Sequence, residues 1–179
     1  MITTIRRATM ADASDISKLI AESARELGRS DYSDDVIEAA LKSAWGLDTQ
    51  LIEDGTYFLV HLDSGELAAC GGWSFRSTLF GSDRLLSRDA THLCPDRDAA
   101  RIRAFFVKPK FARRGLGSRL LAHCEEEAKR AGFRAVSLGA TEPGRRLYLA
   151  FGYVDGEPIA FDLGGGLTMR VIPMSKALP

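Results

Sequence analysis

The stretch from Ala100 to Ala131, ARIRAFFVKPKFARRGLGSRLLAHCEEEAKRA, decides how this chain folds. Its first part is mostly apolar and predicts a buried strand that Pro109 ends. Its second part, from Gly115 onward, carries apolar residues at helical spacing and predicts an amphipathic helix, which Gly132 stops. A buried strand therefore runs into a helix through a short segment rich in arginine and glycine.

This connecting segment has the features of an anion-binding loop. Gly115 and Gly117 leave the backbone open to a ligand, and Arg113 and Arg114 add guanidinium charge. The first N–H groups of the helix lack partners within it, and the helix dipole adds partial positive charge. The segment predicts a phosphate cradle, although the same glycines also suit an ordinary strand–turn–helix packing. It is not a P-loop, and Leu120 stands where the GxGxxG fingerprint needs glycine.

The hydrophobic patterns around this stretch predict an α/β (α+β) fold in the order βααββ(loop)βαβαββ. We expect a mixed, mostly antiparallel twisted sheet of six to seven strands, flanked by about four helices. An irregular segment from Arg76 to Asp98 interrupts the pattern, and loops of that length are often functional. The predicted strands are Ile2–Thr9, Thr56–His61, Glu66–Phe75, Ala100–Val107, Arg134–Ala140 and a final hairpin through Gly164–Gly166. The predicted helices are Ala11–Leu27, one that follows Ser33, Gly115–Ala131 and about Gly144–Phe151.

Length and composition predict one domain spanning 1–179, because 179 residues bury an adequate core without staples. The formal net charge is zero, so neither nucleic acid nor a membrane surface is an expected partner. Cys70, Cys94 and Cys124 are odd in number and far apart, which argues against a disulfide framework and a zinc ribbon. With no signal peptide and no apolar run long enough to span a bilayer, we expect a cytoplasmic location.

Two ordered motifs resemble those of the GNAT (Gcn5-related N-acetyltransferase) superfamily. The run from Val107 to Leu121, VKPKFARRGLGSRLL, is similar to the coenzyme A motif of that family, written [Q/R]xxGxG/A. The run LYLAFGY, which contains Tyr148, is similar to the family's LYxxxGF. The element order also resembles the GNAT fold, so the resemblance covers most of the chain. It departs at Ala112, where the motif has Gln or Arg, and at Thr141, where the family often has Asn.

The resemblance implies that acetyl-CoA is the co-substrate. Backbone groups of Phe106 and Val107 would pair with the pantetheine arm, and residues 113–118 would hold the pyrophosphate. The strand after the helix would splay from its neighbour and leave a slot for the thioester. The residues assigned to the cofactor are Phe105, Phe106, Val107, Arg113, Arg114, Gly115, Leu116, Gly117, Ser118 and Thr141.

The resemblance also places Tyr148 beside the sulfur, where its phenol would protonate the leaving thiolate. Glu142 precedes it in the same segment and is a candidate general base, with a water chain as the alternative. We expect no metal, since His92, Cys94 and Asp96 match no standard ligand set. Tyr148 could instead be a core tyrosine, and Glu142 a solvated turn residue.

The predicted activity is N-acetylation of an amine that attacks the thioester directly. The acceptor would be a small molecule or a peptide, and Tyr32, Trp73 and Arg103 are candidates to bind it. Trp73 could equally be core, and Arg103 could equally pair with an acid. The alternatives are a CoA-binding regulatory module without turnover and a different anion binder, such as a nucleotide-binding protein. The apolar final strands also allow a homodimer.

Overall fold

The computed structural model describes residues 3–85 and 88–179. Ile2, where the first predicted strand begins, and residues 86–87 of the predicted loop lie outside the described residues. The strands are β1 (Thr3–Arg7), β2 (Tyr57–Leu62), β3 (Leu67–Ser74), β4 (Ala100–Val107), β5 (Ala135–Ala140), β6 (Val154–Asp155), β7 (Ile159–Gly164) and β8 (Leu167–Ala177). The α-helices are α1 (Ala13–Leu27), α2 (Asp34–Ser43), α3 (Thr49–Glu53), α4 (Leu116–Arg130) and α5 (Glu142–Ala150).

The strands form a mixed sheet in the order β1-β2-β3-β4-β5-β8-β6, and β7 pairs with β8 beside this path. All neighbouring strands are antiparallel except β4 and β5. That pair is parallel because α4 carries the chain back across the sheet between them. The predicted fold class, a mixed and mostly antiparallel sheet flanked by helices, is confirmed.

Two short elements in the described residues were not predicted. Helix α3 has five residues and strand β6 has two, so neither is long enough to show a period in the sequence. Helix α5 starts at Glu142, earlier than predicted, because Pro143 in its first turn already has the φ that a helix needs. The described part of the chain therefore holds eight strands and five α-helices, where six to seven and about four were expected.

Helices cover both faces of the sheet. One face packs against α4, whose apolar stripe joins residues of β3, β4 and β5 in a large core. The other face packs against α1 and α2, with Tyr57 and Cys70 fully buried beneath them. The side chain of Ser33 caps α2 by accepting a hydrogen bond from the Val36 amide at 3.4 Å. The buried residues of α1 are Ile16, Leu19, Ile20, Ser23 and Ala24, and those of α4 are Leu116, Leu120, Leu121, Cys124 and Ala128.

The described parts of the long connection between β3 and β4 are irregular, as predicted, and ion pairs hold the connection near its start and at its middle. Near its start, the Arg76 guanidinium pairs with Asp54 at 2.8 Å. Further along, Arg88 pairs with the fully buried Asp48 at 2.8 Å. These contacts tie the connection to the segment around α3. Between the two ion-paired arginines, Phe80 packs edge-on against Phe161 of β7, with ring centroids 5.0 Å apart.

Candidate active site

Strands β4 and β5 separate soon after they begin, and the site lies in the gap between them. They pair only at Ala100 with Val136 and at Arg101 with Ser137. Beyond these residues a cavity of about 530 Å³ opens, lined by the second half of β4, the start of α4 and most of α5. The splay that the resemblance implied is therefore present in the structure.

A β-bulge turns β4 as it reaches the cavity. Ala104 and Phe105 together face the single residue Gly71 of β3, and Ala104 has a left-handed φ of 55°. The Phe105 ring lies over Gly71, where a Cβ would come within 2.6 Å of it. The Tyr57 hydroxyl donates to the Ala104 carbonyl at 3.2 Å. Together these contacts hold an unfavourable backbone conformation at the cavity wall.

Alternation along β4 directs the backbone groups of Val107 toward the gap. The Lys108 amide donates to the Ala68 carbonyl of β3 at 2.8 Å. Because successive residues of a strand direct their backbone groups to opposite edges, Phe106 also faces β3, whereas Val107 faces the gap. Of the two residues expected to pair with a pantetheine arm, Val107 therefore offers its N–H and C=O, and Phe106 contributes to the cavity wall.

The predicted phosphate loop has the geometry of an anion cradle. Arg113 has a φ of 61° and Gly115, the N-cap of α4, has a φ of 80°, so the chain turns sharply before the helix. Left-handed residues of this kind direct successive N–H groups into a shared concavity. Arg113 lines the cavity, whereas the Arg114 guanidinium lies over the Phe111 ring, 6.0 Å from its centroid. The other predicted loop residues that line the cavity are Gly115, Leu116, Gly117 and Ser118.

The two loop glycines serve different purposes. A Cβ on Gly115 would meet nothing within 4 Å, so this position needs glycine for its left-handed backbone. A Cβ on Gly117 would come within 3.3 Å of Leu147 and 3.8 Å of Val107. Gly117 therefore lets α4 start close against α5 and β4, which is the packing role that the sequence left open.

Tyr148 lies in the wall of this cavity. Its side chain is buried, and its ring meets that of Tyr153 edge-on, with centroids 5.6 Å apart. Burial raises the pKa of the Tyr148 phenol, and the neighbouring Cys124 raises it further, so the phenol keeps its proton at neutral pH. A Cβ on Gly144 would lie 3.3 Å from the Thr141 hydroxyl and 3.4 Å from the Tyr148 ring, so Thr141 and Tyr148 flank that glycine.

Glu142 stands at the start of α5 but its carboxylate is engaged elsewhere. One carboxylate oxygen pairs with the Arg170 guanidinium of β8 at 2.6 Å. Its backbone N–H donates to the Tyr32 hydroxyl at 3.0 Å, which links the connection between α1 and α2 to α5. Glu142 is not among the residues that line the cavity in the described part of the chain. Its role as a base stays a prediction, one that the ion pair does not favour.

The residues predicted to bind an acceptor lie in three different surroundings. Tyr32 packs edge-on against Trp45 at 5.8 Å, and burial raises the pKa of its phenol. Trp73 lies in the core beside Phe133, with centroids 6.0 Å apart, and does not line the cavity. Its location fits the core alternative. Arg103 is buried in the cavity wall.

The far part of the cavity, which we call the distal half, was not recognisable in the sequence. It contains Trp45 just after α2, Phe80 of the long connection, and Met169 and Val171 of β8, which pack as one cluster. Arg103 completes it. An aromatic residue directly after a helix was the one available signal for Trp45, and nothing in the sequence brings β8 to this place.

Neither a metal site nor a membrane-spanning helix is present in the described residues. No group of three or more His, Cys, Asp or Glu side chains is positioned there to hold a metal ion. No helix in those same residues is long and apolar enough to cross a membrane.

Comparison with known proteins assigns the family. The model of the acetyltransferase (GNAT) family matches residues 17–153, well over half of the chain, and the chain therefore belongs to that family. This confirms the resemblance drawn from the two motifs. YsnE of Bacillus subtilis (strain 168), an uncharacterized N-acetyltransferase, is 29% identical over 103 residues. That match spans about half of each protein, 55% of this chain and 56% of YsnE.

Solved structures share the fold over nearly the whole chain at low identity. A GCN5-related N-acetyltransferase from Rhodopseudomonas palustris has a TM-score of 0.71 and 18% identity, with 99% of both chains covered. The yncA protein of Salmonella typhimurium, with its cofactor acetyl-CoA, has a TM-score of 0.64 and 17% identity, covering 100% of this chain and 95% of its own. The paiA N-acetyltransferase of Thermoplasma acidophilum, in complex with coenzyme A, has a TM-score of 0.62 and 14% identity, covering 99% and 100%.

Proposed function

We propose that this protein moves an acetyl group from acetyl-CoA to a primary amine by direct attack of the amine on the thioester. One observation carries the proposal: Tyr148, a buried phenol that keeps its proton, lines the same cavity as the phosphate loop before α4. A pyrophosphate in the loop and a thioester near Tyr148 would both lie within that cavity. The complexes of yncA with acetyl-CoA and of paiA with coenzyme A support this choice of co-substrate.

The residues of the chain fit the parts of acetyl-CoA. The left-handed turn at Arg113 and Gly115 presents N–H groups and the positive end of α4 to a pyrophosphate. The backbone of Val107 offers one donor and one acceptor to an extended arm, as an additional strand would. Thr141 and Tyr148 bring two hydroxyls to the wall of the gap.

The reaction needs one proton donor and one route for proton loss. The amine nitrogen forms a bond to the acetyl carbon, the carbon–sulfur bond breaks, and Tyr148 gives its proton to the leaving sulfur. The amine loses one proton as the amide forms. No Asp, Glu or His of the described residues lines the cavity, so this proton leaves to water, and water restores the proton of Tyr148.

Thiol release from acetyl-CoA, measured over a panel of amines, tests the proposal. We expect release that depends on the amine, together with mass-spectrometric detection of the acetylated product. A protein that binds acetyl-CoA by calorimetry but releases no thiol with any amine would instead be a binding module without turnover. Tighter binding of ATP than of coenzyme A would point to a nucleotide-binding protein.

A further inference from the structure

The distal half of the cavity combines a mostly apolar lining with a buried arginine, Arg103. Its aromatic and aliphatic side chains form a single apolar cluster, which includes Trp45, Phe80 and Met169. No Asp, Glu, His or Lys lines the cavity within residues 3–85 and 88–179; the charged lining residues are Arg103, Arg113 and Arg146. A cationic amine would therefore meet cations and apolar surface, with no carboxylate to pair with it.

Arg103 is the buried member of these arginines. Only 1% of its side chain is exposed. Its Nη2 atom lies 2.5 Å from an Asp48 carboxylate oxygen and 3.4 Å from the Gly81 carbonyl oxygen, to which it donates. Its Nε and Nη1 atoms are fully buried and find no hydrogen-bond partner in the described part of the protein.

Asp48 does not supply hydrogen bonds to Nε or Nη1 of Arg103, and its own Oδ2 atom, although 2.5 Å from Nη2, makes no hydrogen bond in the described part of the protein. This carboxylate is itself fully buried, and it also pairs with Arg88 at 2.8 Å. One carboxylate is thus shared by two guanidinium groups, each of which carries five N–H donors. Arg88 has a second partner in Asp83 at 2.9 Å, whereas among residues 3–85 and 88–179 Arg103 has only the Gly81 carbonyl in addition. Buried donors without protein partners are rare in folded proteins, and a ligand group that accepts hydrogen bonds would satisfy them.

We propose that the acceptor is an apolar α-amino acid whose carboxylate binds Arg103 and whose side chain packs against Trp45 and Phe80. The inference rests on the proposed acetyl transfer and names its acceptor class. A carboxylate supplies the acceptor oxygens that the guanidinium lacks, in the charge-assisted geometry that arginine favours. An apolar side chain matches the cluster of Trp45, Phe80 and Met169.

The first test uses the unmodified protein and four acceptors: phenylalanine, phenylalaninamide, phenethylamine and spermidine. We expect kcat/KM for phenylalanine to exceed that for phenylalaninamide and phenethylamine by about 10- to 100-fold, the range of one charge-assisted hydrogen bond. Spermidine should be poorer still. Equal rates with phenylalaninamide, which imitates a peptide N-terminus, would overturn the proposal, and so would a preference for spermidine.

A second measurement separates the carboxylate site from turnover. N-acetylphenylalanine should bind the CoA-loaded protein in calorimetry at least about tenfold more tightly than N-acetylphenethylamine. Equal affinity, or no binding of either, would mean that water alone partners Arg103. If N-acetylphenylalanine binds but no amine releases thiol, the proposed transfer fails while the carboxylate site stands.

The Arg103→Met variant should erase the preference for phenylalanine over phenethylamine. Arg101→Met is the matched control, because Arg101 lies on the same strand, bonds to Ser77 and Ser137, and does not line the cavity. The control should keep the wild-type ratio of kcat/KM for phenylalanine to kcat/KM for phenethylamine. Retention of the full ratio in a folded Arg103→Met protein would overturn the proposal, and if that variant does not fold, the acceptor panel decides.

Discussion

The Phe105 ring covers Gly71 so closely that a Cβ on residue 71 would come within 2.6 Å of it. This contact joins β3 to the bulge of β4, and therefore joins the sheet to the wall of the cavity. The bulge depends on a residue without a side chain on the neighbouring strand. Substitutions at these two positions should consequently be coupled.

The first prediction follows from this contact. Gly71→Ala should lower the free energy of unfolding by about 1–3 kcal/mol, because the added methyl group overpacks the contact with Phe105. Phe105→Ala combined with Gly71→Ala should cost less than the sum of the two single changes, since removing the ring relieves the clash. Denaturant unfolding of all four proteins measures the coupling. Strict additivity would show that the bulge does not depend on this contact.

The second prediction concerns the proton donor. Tyr148→Phe should lower kcat by about 100-fold or more while the affinity for acetyl-CoA changes little, because only the proton transfer is lost. Tyr153→Phe is the matched control, since its ring packs on Tyr148 but it does not line the cavity. The rate of thiol release gives kcat, and calorimetry gives the affinity for acetyl-CoA. An unchanged kcat in Tyr148→Phe would remove the residue from the mechanism.

The third prediction separates backbone strain from cofactor binding. Gly115 and Gly152 have φ values of 80° and 83°, and a Cβ on either would meet nothing within 4 Å. Alanine at either position should therefore destabilise the fold by about 1 kcal/mol, the cost of a left-handed residue. Only Gly115→Ala should weaken acetyl-CoA binding, by about tenfold, because Gly115 lies within the phosphate loop. Equal affinity in both variants would contradict the cradle.

The fourth prediction is a loss of stability at alkaline pH. Burial raises the pKa of the Cys70 thiol to about 12, although the neighbouring Tyr57 hydroxyl and the Phe106 backbone oppose the shift. The unfolded thiol ionises near pH 8.5, so the folded state retains a proton that the unfolded state loses. Stability is then complete below about pH 8.5 and falls toward pH 12 with a slope of up to about 1.4 kcal/mol per pH unit.

Cys70→Ala should flatten that slope, whereas Cys94→Ala, at a residue that is only partly buried, should leave it unchanged. Chemical denaturation at several pH values between about 8 and 11 measures both slopes. An identical slope in wild type and Cys70→Ala would assign the alkaline loss to other buried groups, such as Tyr57, whose pKa burial also raises.

The sequence predicts the structure best where the residues that determine an element lie close together in the chain. The strand before Pro109, the turn at Gly115 and the helix after it follow from residues close together in the chain, and the structure has all three. Trp73 shows the limit of such reasoning. Every residue of β3 from Ala68 to Ser74 is buried, so alternation along the strand cannot reveal which face meets the cavity.

The distal half could not be predicted from the sequence, because its residues are distant from one another in the chain. Arg103 was a candidate, but its partner Asp48 lies 55 positions earlier in the chain, in a connection that has no periodic pattern. Met169 and Val171 reach the cavity only because β8 pairs with β5 beside the gap. Contacts of this kind are set by the sheet topology, which becomes visible only when the whole chain has folded.

Two parts of the cavity are built from different segments of the chain. Much of the part of the cavity that contains the phosphate loop and Tyr148 comes from one run between Phe105 and Tyr148, inside the span that the family model matches. Met169 and Val171 of the distal half lie beyond that span. The β7–β8 hairpin therefore lies outside the segment that forms the phosphate loop. Exchanging this hairpin between relatives offers a route to new acceptor preferences, and its divergence would let one cofactor scaffold yield enzymes that share few substrates.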